Sequence, residues 1–223
     1  FYDDINISLY AASEDYHIFF SRLFSELLLR LGKMFPDGRF AAFADNSPID
    51  ERTAAAKAGL GVIGENGLLI NDKYASFVFI GELITDVPPR FIVTRGDFTV
   101  YRCEGCGRCT EACPQKGGQC LSALTQKKGE LAQSEKEMIK ASGCAWGCDI
   151  CQLVCPHSTT AAMSEIAFFS EKPIARLTRD IISAMNDDEF MRRAYAWRGK
   201  KTILRNLELL ELPESEVKDT FTV

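Results

Sequence analysis

All nine cysteines of this 223-residue chain fall between residues 103 and 155, and their spacing limits what the chain can fold into more than any other feature. The stretch begins Cys103-Glu-Gly-Cys106-Gly-Arg-Cys109-Thr-Glu-Ala-Cys113-Pro114 and ends Cys148-Asp-Ile-Cys151-Gln-Leu-Val-Cys155-Pro156. The first run has the C-x2-C-x2-C-x3-C-P step of chains that hold two cubane [4Fe-4S] clusters, and the second repeats its closing C-x2-C-x3-C-P. A two-residue gap lets successive thiolates converge on one cluster. The three-residue gap and the proline turn the last sulfur toward a neighbouring cluster. Crossed ligation then assigns Cys103, Cys106, Cys109 and Cys155 to a first cluster. Cys113, Cys148 and Cys151 go to a second, whose fourth ligand is either Cys120 or Cys144, leaving one cysteine to spare. Structural zinc does not need a third cysteine at the same step before C-P. A disulfide framework belongs to shorter secreted chains, and nothing here resembles a signal peptide.

An apolar content of 46% supports a sizeable core in one or two domains. The net charge of −5 argues against nonspecific, backbone-driven nucleic-acid binding, though a local basic face could still exist. No apolar run approaches the roughly 18 residues of a membrane span, so a soluble protein with no membrane partner is expected. Thiolate-held clusters imply a reducing compartment, and the cytoplasm is the expected one. The chain opens at Phe1 with residues that read as mid-domain sequence, so upstream residues are expected.

Residues 14–34 place Phe20, Leu23, Phe24, Leu27, Leu28 and Leu31 on one helical face, which reads as a core helix. His17, in its first turn, reads as a partly exposed polar residue. Arg39 to Ala44 reads as a short buried strand. Ser47, Pro48 and Asp50 then predict a capped helix that Gly59 stops, so Asp45 sits where a strand gives way to a helix amino terminus. Ligands and catalytic groups collect at such places in α/β sheets, although a turn former would also fit. The loop Gly59-Leu-Gly61-Val-Ile-Gly64-Glu-Asn66-Gly67 lets backbone approach a flat ligand or simply makes a tight turn, and it is not a phosphate loop. Leu68 to Ile70 and Phe77 to Ile84 are strand-like, and Val87-Pro88-Pro89 marks a boundary. Beyond Pro156, Pro173 to Met185, Asp187 to Trp197 and Lys200 to Leu212 carry helical spacing. Arg192, Arg193, Arg198, Lys200, Lys201 and Arg205 form a basic cluster, either a solvated helix face or a patch that steers a phosphate-bearing substrate.

Taken together, the chain resembles the epoxyqueuosine reductase family, cobalamin- and iron-sulfur-dependent enzymes of queuosine biosynthesis. The resemblance runs from Ser8-Leu-Tyr10 and Asp15-Tyr16-His17 through Asp45 to Arg52, Ala58-Gly-Leu-Gly61, Gly64-Glu-Asn66 and Gly81-Glu82 to both cysteine runs. Cys120-Leu-Ser-Ala-Leu-Thr125 and Gly147-Cys148-Asp149 are especially family-like.

The resemblance implies an α+β chain: a nitroreductase-like cobalamin domain over 1–98, a ferredoxin-like domain with two [4Fe-4S] clusters over 99–160, and C-terminal helices over 161–223. It implies electrons passing from an external donor such as a flavodoxin or ferredoxin, through the clusters, to cobalamin. The implied reaction reduces the epoxide of a modified wobble base in transfer RNA to an alkene. Asp45 is implied as the proton donor, with Asn66, Leu69 and Ile80 lining the cobalamin site and Cys120 as the second cluster's fourth ligand. Opening an epoxide creates an alkoxide, and an acid beside it removes that charge in the transition state.

The chain departs from the family pattern at Glu65, where lysine is usual, at Ala75, where glycine commonly precedes the serine, and at His157-Ser158, which replaces an aromatic-asparagine pair. The stretch from Cys113 to Cys120 is short, and a helical-repeat extension that helps grip RNA is missing or shortened. Two alternatives therefore stand beside a transfer-RNA reductase. One is a ferredoxin-type electron carrier without cobalamin; the other is a cobalamin-dependent reductase of a small electrophile.

Overall fold

The computed structural model describes residues 5–92, 97–116 and 118–211. In chain order it contains α1 (Tyr16–Met34), β1 (Phe40–Phe43), α2 (Glu51–Lys57), β2 (Val62–Ile63), β3 (Leu69–Ile70) and β4 (Glu82–Thr85). Helices α3 (Arg108–Ala112), α4 (Leu121–Thr125), α5 (Gln133–Ser142) and α6 (Ile150–Leu153) follow. The chain then forms α7 (Ala167–Ser170), α8 (Arg179–Ala184), α9 (Asp187–Met191) and α10 (Lys200–Glu211). The class is α+β, as expected. Among the described residues the strands form two antiparallel ribbons, β1 with β4 and β2 with β3.

Contacts divide the chain into two compact units that do not follow its sequence order. One consists of residues up to Asp15, Ala112–Ile150 and everything from Ile166 onward; the other is Tyr16–Glu111 with Cys151–Glu165. The boundaries at 98 and 160 divide the chain by expected chemistry, whereas contact groups residues by what they pack against.

The helical unit is built around Trp146, Tyr195, Leu177, Ile182 and Ile203, all at most 1% exposed. At roughly 1.5–3 kcal/mol for each large apolar side chain removed from water, this cluster outweighs any single polar contact in the unit. A second cluster of Leu121, Leu124, Leu131, Ile139 and Leu209 joins α4 and α5 to α10. Asn206 adds a polar tie, donating from Nδ2 to the carbonyls of Thr125 at 2.6 Å and Ala145 at 2.8 Å. The amino-terminal segment is threaded through this unit. Asn6 pairs with the backbone of Leu177, and Asp149 accepts from Ser8 Oγ at 2.5 Å and from the Leu9 amide at 2.7 Å. That explains why Ser8-Leu-Tyr10 and Asp149, far apart in sequence, both read as family-like.

In the other unit, Ala55, Ala56 and Leu69 form the core, with Ile63, Val78, Ile80 and Val100 against them. Four expectations are corrected here. Helix α1 forms where the spacing places it, but it is not a core helix within this chain: Phe20 is buried, while Leu23 and Leu27 are 40% and 38% exposed. Periodicity reports amphipathic character but not the width of the partner; Phe20 and Phe24 pack over the bare Cα of Gly81. The cap of α2 is Asp50, not Ser47, because Asp50 accepts from the Thr53 amide at 2.9 Å while Ser47 closes a local turn with Ile49. Gly59 does end the helix, in a Schellman motif: its amide bonds Ala56 O and the Leu60 amide bonds Ala55 O. The strand expected over 77–84 begins only at Glu82. In the C-terminal region, helix α8 starts at Arg179 because Thr178 caps it, so the stretch from Pro173 is not helical. Leu212 lies outside the described residues.

Candidate active site and cysteine runs

The chain leaves β1 at Phe43 and turns through two successive left-handed residues, Asp45 (φ 59°) and Asn46 (φ 47°). Asp and Asn tolerate this region better than other side chains, yet two in a row concentrate strain at one point. The turn aims Asp45 back at the start of α1. Tyr16 donates from its hydroxyl to Asp45 Oδ2, and His17 Nε2 stands 3.6 Å from the same oxygen. The Tyr16 ring stacks on both His17 and Phe79, each centroid 4.3 Å away. His17 is half-exposed, as expected, but it is also a neighbour of Asp45. Asp45 keeps 44% of its side chain exposed, which an acid needs if a substrate is to reach it.

Two further carboxylates were not singled out as site residues. Burial, followed by the nearby charges of Asp45 and Glu82, pushes the Glu51 carboxyl above its ordinary range. Both carboxylate oxygens of Glu82 are buried without a hydrogen-bond partner in the structure, as is Ser76 Oγ. Glu82 opposes Phe43 across the β1–β4 ribbon. The only signal in the sequence was Gly81-Glu82, a charged residue inside an otherwise apolar strand.

Of the expected cobalamin residues, Leu69 is 5% exposed and packs with Ile80 in the core of its unit. Asn66 turns its side-chain oxygen onto the Leu68 amide. The glycine-rich loop is a tight hairpin between β2 and β3, where a Cβ on Gly61 would meet the Ile70 carbonyl at 2.2 Å. Arg52 Nη1 donates to Gly67 O at 3.0 Å, holding the segment that carries Asp45 beside this loop. Ala75, the departure from a usual glycine, has φ 50° and is 2% exposed, so this buried alanine occupies a conformation that favours glycine. The orphaned oxygens of Ser76 and Glu82 fit a ligand rich in amide groups, as a corrin is, better than they fit an apolar core.

The first cysteine run is stitched to this hairpin. The Cys103 amide donates to Ile63 O at 3.1 Å and the Ile63 amide to Tyr101 O at 2.9 Å, while the Gly107 amide donates to Glu65 Oε2 at 3.2 Å. Glu65 thus anchors the loop that carries Cys106. Cys155 lies in the same unit as Cys103, Cys106 and Cys109, and His157 Nε2 contacts Glu104 Oε2 at 3.1 Å. Cys113, Cys120, Cys144 and Cys148 lie in the other unit, and Cys151 falls one residue beyond its edge. None of the nine cysteines is in a disulfide. Among the described residues no three His, Cys, Asp or Glu side chains converge tightly enough for a single metal ion. Each ligand of a cubane cluster binds its own iron corner, so an all-thiolate set with this spacing suits the cluster chemically.

Cys120 and Cys144 differ in kind. Cys120 is exposed at the amino end of α4. Cys144 is partly buried, its Sγ lies 3.1 Å from Gly147 O, and burial pushes its thiol up to about 12.

The basic cluster is neither a solvated face nor a single patch. Arg192 pairs with Glu14, and Arg193 is buried against the carbonyls of Ala12 and Lys172. Lys200 binds Met185 O, and Arg205 binds the carbonyls of Lys127 and Gly129. Most of these cations hold the fold together.

No family model matches the chain. It is 32% identical over 210 residues to an epoxyqueuosine reductase of Lactococcus garvieae, covering 87% of this chain and 58% of that relative. The fold matches an epoxyqueuosine reductase of Bacillus subtilis whose catalytic aspartate loop is swung out of the active site, with TM-score 0.78 and 26% identity. It also matches an epoxyqueuosine reductase solved with an epoxyqueuosine-modified stem loop of tyrosine tRNA, with TM-score 0.77 and 28% identity. Each solved match covers 92% of this chain and 57% of the solved one, so the chain spans a little over half the length of the proteins it resembles.

Proposed function

We propose that the chain belongs to the epoxyqueuosine reductase family over the stretch it shares with these proteins, and that it is an iron-sulfur, cobalamin-dependent reductase of the epoxide of epoxyqueuosine in tRNA. The proposal includes a nitroreductase-like cobalamin domain and a ferredoxin-like domain with two [4Fe-4S] clusters. The observation that carries it is the bond from the Cys103 amide to Ile63 O, which fixes the first cluster's loop onto the hairpin that bears Asn66 and Leu69. An electron carrier alone has no need of that link, nor of Asp45 held by Tyr16 and His17.

Asn66, Leu69, Ile80, Ser76 and Glu82 would hold the cobalamin, which when bound supplies electrons to the substrate from the clusters. Everything else falls to the side chains. Converting an epoxide to an alkene takes two electrons and two protons and releases the oxygen as water. Asp45 donates the first proton as the carbon–oxygen bond opens, so no free alkoxide forms. The second proton requires that the acid be reloaded. Tyr16 and His17, both at Asp45 Oδ2, are placed to return a proton to it from solvent. Strain at Asp45 and Asn46 keeps the carboxylate aimed rather than free to relax into a helix.

The test is anaerobic purification of the full-length protein with iron and sulfide analysis, then cobalamin titration and an assay on epoxyqueuosine-containing tRNA. About eight irons, stoichiometric cobalamin and alkene formation would support the reading. Eight irons without cobalamin would leave an electron carrier. A second reading is favoured by one observation: of the cations that could have formed a patch steering a phosphate-bearing substrate, Arg192 is paired with Glu14 and Arg193 and Arg205 are bonded to backbone carbonyls. It keeps the cofactors and replaces tRNA with a small electrophile, and RNA binding that survives moderate salt would refute it.

A further inference from the structure

The helical unit carries a cavity of about 580 Å3 whose lining includes Cys120, Ser122, Gln126, Lys127, Lys128 and Arg198. Three features separate it from an ordinary surface hollow. First, it opens beside Cys120, an exposed thiol that the proposed function makes a ligand of the second cluster. Second, its charge is incompletely answered: Glu135 neutralises Lys127, with Nζ at 2.7 and 2.8 Å from its two oxygens. Lys128 and Arg198 are in no ion pair among the described residues, and Arg198 Nε is buried without an acceptor. Third, the Arg198 guanidinium lies 3.7 Å over the Trp197 ring, and Trp197 is 57% exposed, so a flat aromatic stands next to the basic rim.

We infer that this surface is where an acidic redox protein docks to deliver electrons to the second cluster. The inference rests on the reading of Cys120 as a cluster ligand. Electron transfer weakens steeply with distance, so a protein donor has to settle over an edge where a cluster ligand reaches the surface. In a chain of net charge −5, a positive rim beside Cys120 attracts an acidic partner that the overall charge would repel. Trp197 supplies the apolar anchor that charge alone lacks, and aromatic and arginine side chains are the residues that dominate such contacts. The step is a single electron transfer, in which the donor is oxidised by one electron, the cluster is reduced by one and no bond is made or broken. RNA is less favoured as the occupant, because contact with Cys120 gives it nothing to receive.

The experiment uses the cluster-loaded protein and an acidic bacterial flavodoxin in its hydroquinone form, with cluster bleaching followed by stopped flow. Lys128→Glu and Arg198→Glu should each slow bleaching by flavodoxin about tenfold or more at low salt and flatten its salt dependence. Light-driven reduction by uncharged deazariboflavin should stay at the unaltered rate. Lys128→Gln, a milder change at an exposed site, should give a smaller loss in the same direction. An unchanged flavodoxin rate in both charge reversals would overturn the inference while leaving the clusters established. So would a fall in binding of a tRNA stem loop with the flavodoxin rate intact, which would make the surface an RNA contact. Equal losses with flavodoxin and deazariboflavin in Lys128→Gln would also overturn it, by locating the effect in the cluster itself. If the unaltered protein showed no cluster absorbance, the functional reading would fail first and the docking surface with it.

Discussion

Tyr16 donates a hydrogen bond to the carboxylate of Asp45, joining the first turn of a helix to the left-handed corner that follows the first strand. On the proposed role of Asp45 as proton donor, replacing it with Asn should cost at least about a hundredfold in epoxide reduction, the usual range for a general acid. Tyr16→Phe keeps the ring stack and removes only the hydroxyl, so a loss of about tenfold is expected from one hydrogen bond. Rates on loaded enzyme with cofactor content measured in parallel would decide it. A Tyr16→Phe variant at full rate would remove the hydroxyl from the proton path.

The two spare-ligand candidates give opposite expectations. Cys144→Ser should retain about eight irons, whereas Cys120→Ser should retain about four, one cluster's worth. With its thiol held near 12, Cys144 should also resist alkylation at pH 8 in the folded apoprotein, while Cys120 reacts. Rapid labelling of Cys144 would contradict the burial that sets it apart.

Glu51 should make stability fall as pH rises. Its folded-state value lies above the ordinary carboxyl value of 4.5, because burial and the charges of Asp45 and Glu82 oppose ionisation. Below that value both states keep the proton. Above it the unfolded chain releases its proton first, and stability declines until the folded carboxyl has also ionised. Glu51→Gln should therefore melt higher than the unaltered protein at pH 7 and nearly with it at pH 4.5; equal melting temperatures across that range would show that Glu51 ionises freely.

Ala75 occupies a left-handed position at 2% exposure. Ala75→Gly should stabilise the protein by about 0.5–1 kcal/mol, the difference between relieved backbone strain and the added freedom of the unfolded chain. Denaturant midpoints compared at constant m would show it.

How much could be read from the chain alone depended on whether a property was local. Helix α1 and the stop at Gly59 follow from short-range spacing and appear where expected; the strand at Phe40–Phe43 forms there too, but none of its residues is buried as expected, because burial depends on long-range partners. The cap of α2 did not appear where expected, because Ser47 and Asp50 both satisfy the same rule and only their competition for backbone amides selects one. The partners of Asp45 were out of reach for another reason. Tyr16 and His17 lie about thirty residues earlier, and nothing in periodicity states which helix turn a later corner will face. Likewise the arginines after residue 190 look alike in sequence, and only long-range contacts send Arg193 inward to a carbonyl while Arg198 lies over Trp197.

The interleaving of the two units has a bearing on biosynthesis. The unit that holds Cys103, Cys106, Cys109 and Cys155 has all its residues once Glu165 has left the ribosome, whereas the other needs α10, near the far end of the described chain. Units fold as they are completed during synthesis. On the ligand sets proposed above, Cys113, Cys120 and Cys148 are translated well before the late helices of their unit, while Cys151 belongs to the unit completed first, so loading of a second cluster would wait on those helices.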